Sequence, residues 1–342
     1  MNKFRVGIIG CGNIFPMHAL SVKGLENAEI IAVCDIKEER AKAKSEEFNC
    51  NYYLDYKDML LKEDLDVIHI CLPHYLHAPV AIATAKAGVH VLTEKPMSIK
   101  LEDAEEMIKT AKENHVTLGV IFQNRYNPGS QLIKKTLESG ALGSIISGKL
   151  AVTWNRSDEY YSKSDWKGTW DKEGGGVIID QAIHTMDLMR WFIDSEIDFI
   201  DATIKNRAHE IIQVEDSAEG IIKYKNGVLT SFHAVNYYGY DAPVEIELYC
   251  ENGTAKMVAD RASVKFNDGR EYIADNNPSE VFFYGNGAKG YWGVSHVKQI
   301  KNFYSCLSAG TEPEITGEEA IKTQKMICAI YESGKKEEKI TF

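Results

Sequence analysis

Phe4-Arg5-Val6-Gly7-Ile8-Ile9-Gly10-Cys11-Gly12-Asn13-Ile14 is the stretch that decides the fold. Residues 4–9 read as a buried strand, and residues 14 to about 24 as the helix that follows it. Gly10 permits a tight turn between them, and Gly12 lets backbone amides approach an anionic group at the helix N-terminus. A glycine pair alone is a weak signal. Its place after a strand and before a helix gives it meaning.

Outward from this turn, strands and helices alternate. Residues 29–34 are a second strand ending at Asp35, 38–48 have helical spacing, and Tyr52-Tyr53 fit a short strand. A short helix (56–61) precedes a continuous apolar strand, 67–72, which Pro73 stops. A helix over 79–87 ends at Gly88, and then come a strand (89–93), a helix (101–114) and a strand (116–122). This alternation predicts an α/β fold: a parallel, doubly wound sheet, the Rossmann arrangement, over residues 1–122. Asp35 ends the second strand, where an acid binds both ribose hydroxyls of a dinucleotide. No arginine follows it to neutralise a 2′-phosphate, which favours NAD over NADP. The third glycine of the full fingerprint is replaced by Phe15. A nucleotide-free turn with Asp35 capping a helix is the competing reading.

Val89-His90-Val91-Leu92-Thr93-Glu94-Lys95-Pro96 places a lysine at the carboxyl end of a strand in that same sheet. Cofactor and substrate meet at that edge of an open parallel sheet, so the chain reads as an enzyme. The cofactor-facing candidates are Gly10, Gly12, Asn13, Ile14, Asp35, Leu72, Pro73, His74, His77, Glu94 and Lys95. Four histidines lie between 69 and 90, but His69 and His90 sit inside strand patterns and no ligand spacing is complete, so no metal is expected.

After about Gln123 the pattern changes. A helix over 129–139 and a strand near 145–153 lead to an aromatic-rich loop, 154–170. Gly174-Gly175-Gly176 then opens a long amphipathic helix over 177–192. Five strands with period-two alternation follow (199–206, 217–224, 229–236, 244–250, 254–258), separated by turns such as Lys225-Asn226-Gly227. Helices over 294–308 and 318–333 close the chain. A second domain over 123–342, a large open and mostly antiparallel sheet backed by helices, is expected, with its last helix packing back on the first domain.

Asp180 and His184 stand one turn apart at the start of the helix over 177–192, a spacing that projects both from one face. A carboxylate there orients a histidine and raises its basicity. Oxidising a secondary alcohol removes a hydroxyl proton as hydride leaves. Lys95 suits the developing alkoxide and His184 the proton. A helix-terminal carboxylate beside a packed histidine is the bland alternative. In the aromatic loop, Arg156, Tyr160, Trp166 and Lys167 are candidates for a sugar, which stacks on rings and hydrogen-bonds to polar groups; packing on a sheet edge or a subunit contact competes. Arg125 near the domain junction is a further candidate, and His296, after Trp292-Gly293, has a structural role as its first reading.

The net charge of -11, with no basic cluster, excludes nucleic acid and anionic membranes as partners. Apolar runs are strand-sized, too short for a membrane span. The N-terminus runs straight into a strand rather than a signal peptide, and seven cysteines without a Cys-x-x-Cys pair fit a reducing cytoplasm.

Several motifs in order resemble the glucose–fructose oxidoreductase and inositol dehydrogenase family (Gfo/Idh/MocA). They are Gly10-Cys11-Gly12-Asn13-Ile14, Pro73-His74-x-x-His77, Ala87-Gly88-Val89-His90-Val91-Leu92-x-Glu94-Lys95-Pro96, Asn124-Arg125-Tyr126-Asn127-Pro128 and Gly174-Gly175-Gly176-Val177-Ile178-x-Asp180-x-x-x-His184-x-x-Asp187. Gly317-Glu318-Glu319-Ala320 and Ala329-Ile330-Tyr331-Glu332-Ser333 also fit. The resemblance implies a Rossmann domain with NAD, and a second domain whose sheet lies open. It also implies Lys95 as catalytic lysine, His184 as proton acceptor, and Asp180 with Lys95 as binders of substrate hydroxyls. Gln181 stands where many relatives carry a small residue.

The function expected is hydride transfer between nicotinamide and a secondary hydroxyl or ketone of a sugar, sugar derivative or cyclitol. Alternatives are glycoside cleavage by transient oxidation and elimination, and a non-catalytic NAD-binding regulator. Apolar and aromatic residues on both faces of the second sheet, such as Phe232, Tyr237, Tyr249 and Phe266, predict a homodimer or homotetramer.

Overall fold

The computed structural model describes residues 3–275 and 295–342. By their contacts these form two units, residues 3–123 with 295–322 and residues 124–275 with 323–342. Trp292-Gly293 and Val294, which the sequence places before and at the start of a late helix, lie outside the described residues.

The first unit opens with β1 (Phe4–Ile9), α1 (Phe15–Lys23), β2 (Ala28–Cys34), α2 (Glu38–Phe48), β3 (Asn51–Tyr53) and α3 (Tyr56–Lys62). It continues with β4 (Val67–Ile70), α4 (His74–Lys86), β5 (His90–Thr93), α5 (Leu101–Glu113) and β6 (Leu118–Val120). Six parallel strands align in the order β3-β2-β1-β4-β5-β6. The order reverses between β1 and β4, so the carboxyl ends of those two strands flank the switch-point crevice. Every residue of β4 is buried, as a strand covered on both faces requires.

The second unit holds α6 (Pro128–Glu138), β7 (Ile145–Thr153), the short α7 (Asp158–Ser162), a π-helical turn (Val177–Ala182) and α8 (Ile183–Ile193). Seven strands follow: β8 (Ile197–Lys205), β9 (Ser217–Tyr224), β10 (Leu229–Val235), β11 (Glu245–Cys250), β12 (Gly253–Val258), β13 (Arg261–Phe266) and β14 (Glu271–Ala274). After α9 (Ser295–Ala309), α10 (Gly317–Lys336) leads to a last short strand, β15 (Ile340–Thr341). The nine-stranded sheet runs β14-β13-β12-β11-β7-β10-β9-β8-β15. Its pairs are antiparallel except β7 with β10. The turn between β9 and β10 uses Gly227 at φ +93°, a conformation that favours glycine.

Helix α9 packs against α1, and its Ile300, Phe303 and Tyr304 are buried in one core with Val6, Ile8 and Phe15. Burying a large apolar side chain is worth about 1.5–3 kcal/mol, which draws residues 295–322 into the first unit. In the second sheet, Phe232 and Phe266 are buried, whereas Tyr249 is 56% exposed. The register row Tyr249, Ser147, Leu229, Lys223 runs across the opposite, open face, where Lys149 and Glu247 also pair at 3.1 Å. That face is more polar than the sequence suggested. Among the described residues, no helix is long and apolar enough to cross a membrane.

Candidate active site

At the switch point, Gly10 has φ +97°, and a Cβ there would stand 2.2 Å from the Cys71 carbonyl oxygen. No other residue type fits so close to the end of β4. Around Gly12 nothing lies within 4 Å of where a Cβ would stand, so the turn is open where a pyrophosphate would lie. Asp35 presses its carboxylate on the turn: Oδ2 accepts from Cys11 N at 2.9 Å, and Oδ1 from Lys37 N at 2.8 Å. Phe15, in the place of the third glycine, is fully buried with its ring edge-on to Phe48 at 5.6 Å. The helix there is held by an aromatic core rather than by close backbone contact. A tight glycine turn, an open cradle and an acid beside it fit a dinucleotide.

Lys95 follows β5 and is partly buried; its peptide bond to Pro96 is cis. Two of the expected cofactor contacts take other roles. His77 is fully buried, with Nδ1 at 2.6 Å from the Pro96 carbonyl and Nε2 at 2.7 Å from that of Leu72. It clamps the turn after β4 to the turn after β5 and has no ring nitrogen left for a cofactor. Burial lowers its pKa, and the two carbonyls oppose that shift. His74, the first residue of α4, is also buried.

Glu94 is the second such case. Its Oε1 meets His18 Nε2 at 3.0 Å and His296 Nε2 at 3.1 Å, while Oε2 accepts from the Lys95 amide at 3.2 Å. His18 Nδ1 contacts His69 Nδ1 at 2.9 Å, and His69 Nε2 contacts the Tyr304 hydroxyl at 2.9 Å. Burial lowers the pKa of His18 and pushes that of His69 well down. Burial acts to raise Glu94, but hydrogen bonds from His18 and His296 outweigh it and hold the carboxyl well below its ordinary range. With Glu94 ionised and His18 and His69 neutral, one polarity satisfies the chain. Tyr304 donates to His69, His69 to His18, and His18 to Glu94. His18, Glu94 and His296 place three ligand-type atoms within 4.8 Å of one another. Hydrogen bonds between those atoms account for their spacing without an ion.

In the second unit, Asp180 falls in the π-helical turn and His184 in the first turn of α8. The helix predicted over 177–192 is therefore divided, and the single α-helical face expected for the pair does not form. Three donors converge on Asp180 Oδ2: the Tyr160 hydroxyl at 2.7 Å, Lys167 Nζ at 2.6 Å and Gln181 Nε2 at 2.7 Å. Lys167 also stands 3.6 Å from the fully buried Glu173. Burial acts to lower the Lys167 pKa, but Asp180, Tyr160 and Glu173 outweigh it and push it above the ordinary lysine range. Burial pushes the Glu173 carboxyl up, with Lys167 opposing and Asp180 adding. The Lys167 ammonium lies 4.5 Å from the Trp166 ring centre and 4.7 Å from that of Tyr160. Ring faces and hydrogen-bonding groups are thus gathered around one carboxylate.

Two arginines leave the substrate candidates. Arg125 is 1% exposed, and its Nε and Nη2 donate to Asp187 Oδ2 and Oδ1 at 2.7 and 2.6 Å. Thr323 donates to the same Oδ1 at 2.6 Å. Arg156 is buried, and its Nη1 donates to Asp241 Oδ1 at 2.9 Å and to the Asn155 carbonyl at 2.6 Å. It braces the loop, and its guanidinium covers the Tyr160 ring at 5.4 Å. His296 is buried on Glu94, in line with a structural role. His18 carries no sequence signal beyond being a histidine in a mostly apolar helix.

A dinucleotide crevice beside a lysine-bearing strand end, with a carboxylate–histidine segment in the second unit, defines an NAD-dependent oxidoreductase. Residues 4–122 match a model described as an oxidoreductase family with an NAD-binding Rossmann fold, and residues 130–256 match the GFO/IDH/MocA C-terminal domain. The chain belongs to the GFO/IDH/MocA family. Myo-inositol 2-dehydrogenase of Thermotoga maritima is 27% identical over 327 residues, covering 92% of this chain and 91% of that relative. D-apiose dehydrogenase of Paraburkholderia graminis is 26% identical over 345 residues, covering 98% and 88%. The WlbA dehydrogenase of Bordetella pertussis, solved with NADH and UDP-GlcNAcA, matches with TM-score 0.88 and 28% identity, covering 100% of this chain and 98% of that one.

Proposed function

We propose that this enzyme oxidises or reduces a secondary hydroxyl–ketone pair of a sugar, sugar derivative or cyclitol, with Lys95, Asp180 and His184 acting on one substrate hydroxyl. The observation that carries this reading is the Asp180 carboxylate, which gathers Tyr160, Lys167 and Gln181 beside the Trp166 ring. Hydroxyl-bonding groups next to aromatic faces suit a polyhydroxylated ring. The names of the relatives, an inositol and an apiose dehydrogenase among them, lie in the same substrate class.

Gly10, Gly12 and Asp35 would hold NAD, which supplies the hydride acceptor when bound. Asp35 accepts from ribose hydroxyls and repels a 2′-phosphate, so NAD is preferred to NADP. In the oxidation direction His184 takes the hydroxyl proton. The Lys95 ammonium stabilises the oxygen as negative charge develops on it. Asp180 joins the proton relay from that hydroxyl, and Lys167 pairs with its carboxylate at 2.6 Å. In the reduction direction His184 returns the proton to the alkoxide.

A panel of sugars, inositols and glycosides, assayed for NADH absorbance and product mass, tests the reading. A product two mass units lighter than its substrate, formed with equimolar NADH, is expected. Glycoside cleavage without net NADH would replace simple oxidation by oxidation–elimination. Tight NAD binding without turnover of any compound would point to a non-catalytic regulator.

A further inference from the structure

The π-helical turn that carries Asp180 has an unusual set of partners. In the first turn of a helix, backbone N–H groups lack intrahelical acceptors. Here each is met. Gly176 N donates to Glu215 Oε2 at 2.8 Å, and Ile178 N to Glu215 Oε1 at 3.0 Å. Val177 N donates to the Glu215 carbonyl at 3.2 Å, and Ile179 N to the Tyr331 hydroxyl at 3.1 Å. Tyr331 in turn donates to Glu215 Oε1 at 2.9 Å. Asp180 N closes the turn on the Gly176 carbonyl at 3.0 Å. One buried glutamate and one buried tyrosine, from the segment before β9 and from α10, thus hold four consecutive amides.

The glycine triplet shows how tightly this brace is built. A Cβ on Gly176 would stand 1.9 Å from the Glu215 carbonyl oxygen. At Gly175, where φ is +156°, it would stand 2.0 Å from the Tyr331 hydroxyl. The glycines are therefore needed where Glu215 and Tyr331 close on the backbone. Both bracing residues are buried, at 2% and 7% exposure.

We propose that Glu215 and Tyr331 are positioning residues for the reaction: by holding the amides of 176–179 they fix the π-helical turn and so aim Asp180. Asp180 is the next residue along the chain, and a one-residue change in winding from π to α would rotate its carboxylate away from Tyr160 and Lys167. This rests on the reading that Asp180 handles substrate, and the test separates the two ideas.

The parent, Glu215→Gln, Tyr331→Phe, Asp180→Asn and the Glu215→Gln/Asp180→Asn double variant are compared as full-length protein. Amide hydrogen exchange of residues 176–180 is measured without ligand. NAD affinity is measured by calorimetry, and turnover with the panel compound that gives the largest NADH signal. In Glu215→Gln, exchange of these amides should rise at least about tenfold, since a carboxamide cannot accept from both Gly176 and Ile178. Should that variant not fold, Tyr331→Phe carries the same test, with faster exchange centred on Ile179. NAD affinity should stay within about twofold, while kcat falls at least about tenfold. The double variant should be no slower than Asp180→Asn alone, because the brace acts through Asp180. Unchanged exchange, or losses that multiply in the double variant, would overturn the proposal. If Asp180→Asn keeps parent turnover, the functional reading fails, and the exchange data still judge the brace.

Discussion

Replacing Arg125 by methionine separates a framework role from a substrate role. The guanidinium is fully enclosed and paired through two nitrogens with Asp187, so its removal leaves a carboxylate buried in the second unit. Breaking a buried pair on one side costs about 3–5 kcal/mol. Two other groups remain on Asp187, the Thr323 hydroxyl at 2.6 Å and Arg190 at 3.7 Å. They place the expected cost at the lower end, about 3 kcal/mol, or roughly a hundredfold in the folded-to-unfolded ratio. Urea unfolding read by tryptophan fluorescence is the assay, since Trp191 lies 5.3 Å from the Arg125 guanidinium. KM of the folded single variant should stay within about twofold of the parent. A cost below about 1 kcal/mol together with a large rise in KM would refute this assignment and return Arg125 to the substrate.

Three further outcomes are expected. Asp35→Ser with Ile36→Arg, the latter at an exposed position, should shift preference towards NADP; a parent that binds NADP as tightly as NAD by calorimetry contradicts the role of Asp35. Burial raises the Glu215 carboxyl from 4.5 to about 7 and pushes Glu173 up as well, so between those pH values the folded chain keeps protons that the unfolded chain has released. Their contribution to stability is intact at low pH and falls as pH rises, with a slope of at most about 1.4 kcal/mol per pH unit for each group. Urea midpoints between pH 5 and 7.5 should show a flatter dependence in Glu173→Gln than in the parent, and identical slopes would count against the shift. Exposed Tyr249 and Ile273 on the open face of the second sheet favour a homodimer or homotetramer, which light scattering at micromolar concentration checks; a monomer rules it out.

The sheet of the first unit was legible because buried parallel strands are nearly continuous in apolar residues, and the glycine turn marks the switch point. Strands β13 and β14 were not legible: Arg261–Phe266 alternates but carries Arg261 and Lys265, and the strand that follows is mostly exposed. The π-helical turn was not legible, since Asp180 and His184 keep the i,i+4 spacing of an α-helix, and Glu215 and Tyr331 reset the winding from far along the chain. Arg125 and Arg156 read as ligand-binding because sequence shows a cation without the Asp187 or Asp241 that neutralises it. The His69–His18–Glu94–His296 contacts join residues from β4, α1, the end of β5 and α9, and no local pattern links them. Histidines inside apolar strands and helices were the only trace, and that trace fits ordinary packing equally well.

Lys95→Ala tests the proposed chemistry most directly. In the proposed mechanism the charge of Lys95 matters only when negative charge develops on the substrate oxygen, so its loss should fall on the transition state and not on cofactor affinity. Steady-state turnover on the active panel compound, with NAD affinity by calorimetry alongside, should show kcat reduced at least about a hundredfold and NAD binding unchanged. His184→Ala, measured in parallel, should also be severely impaired and lose the lower limb of the pH–rate profile. Near-parent turnover in either variant would contradict the assignment of Lys95 and His184 to one substrate hydroxyl.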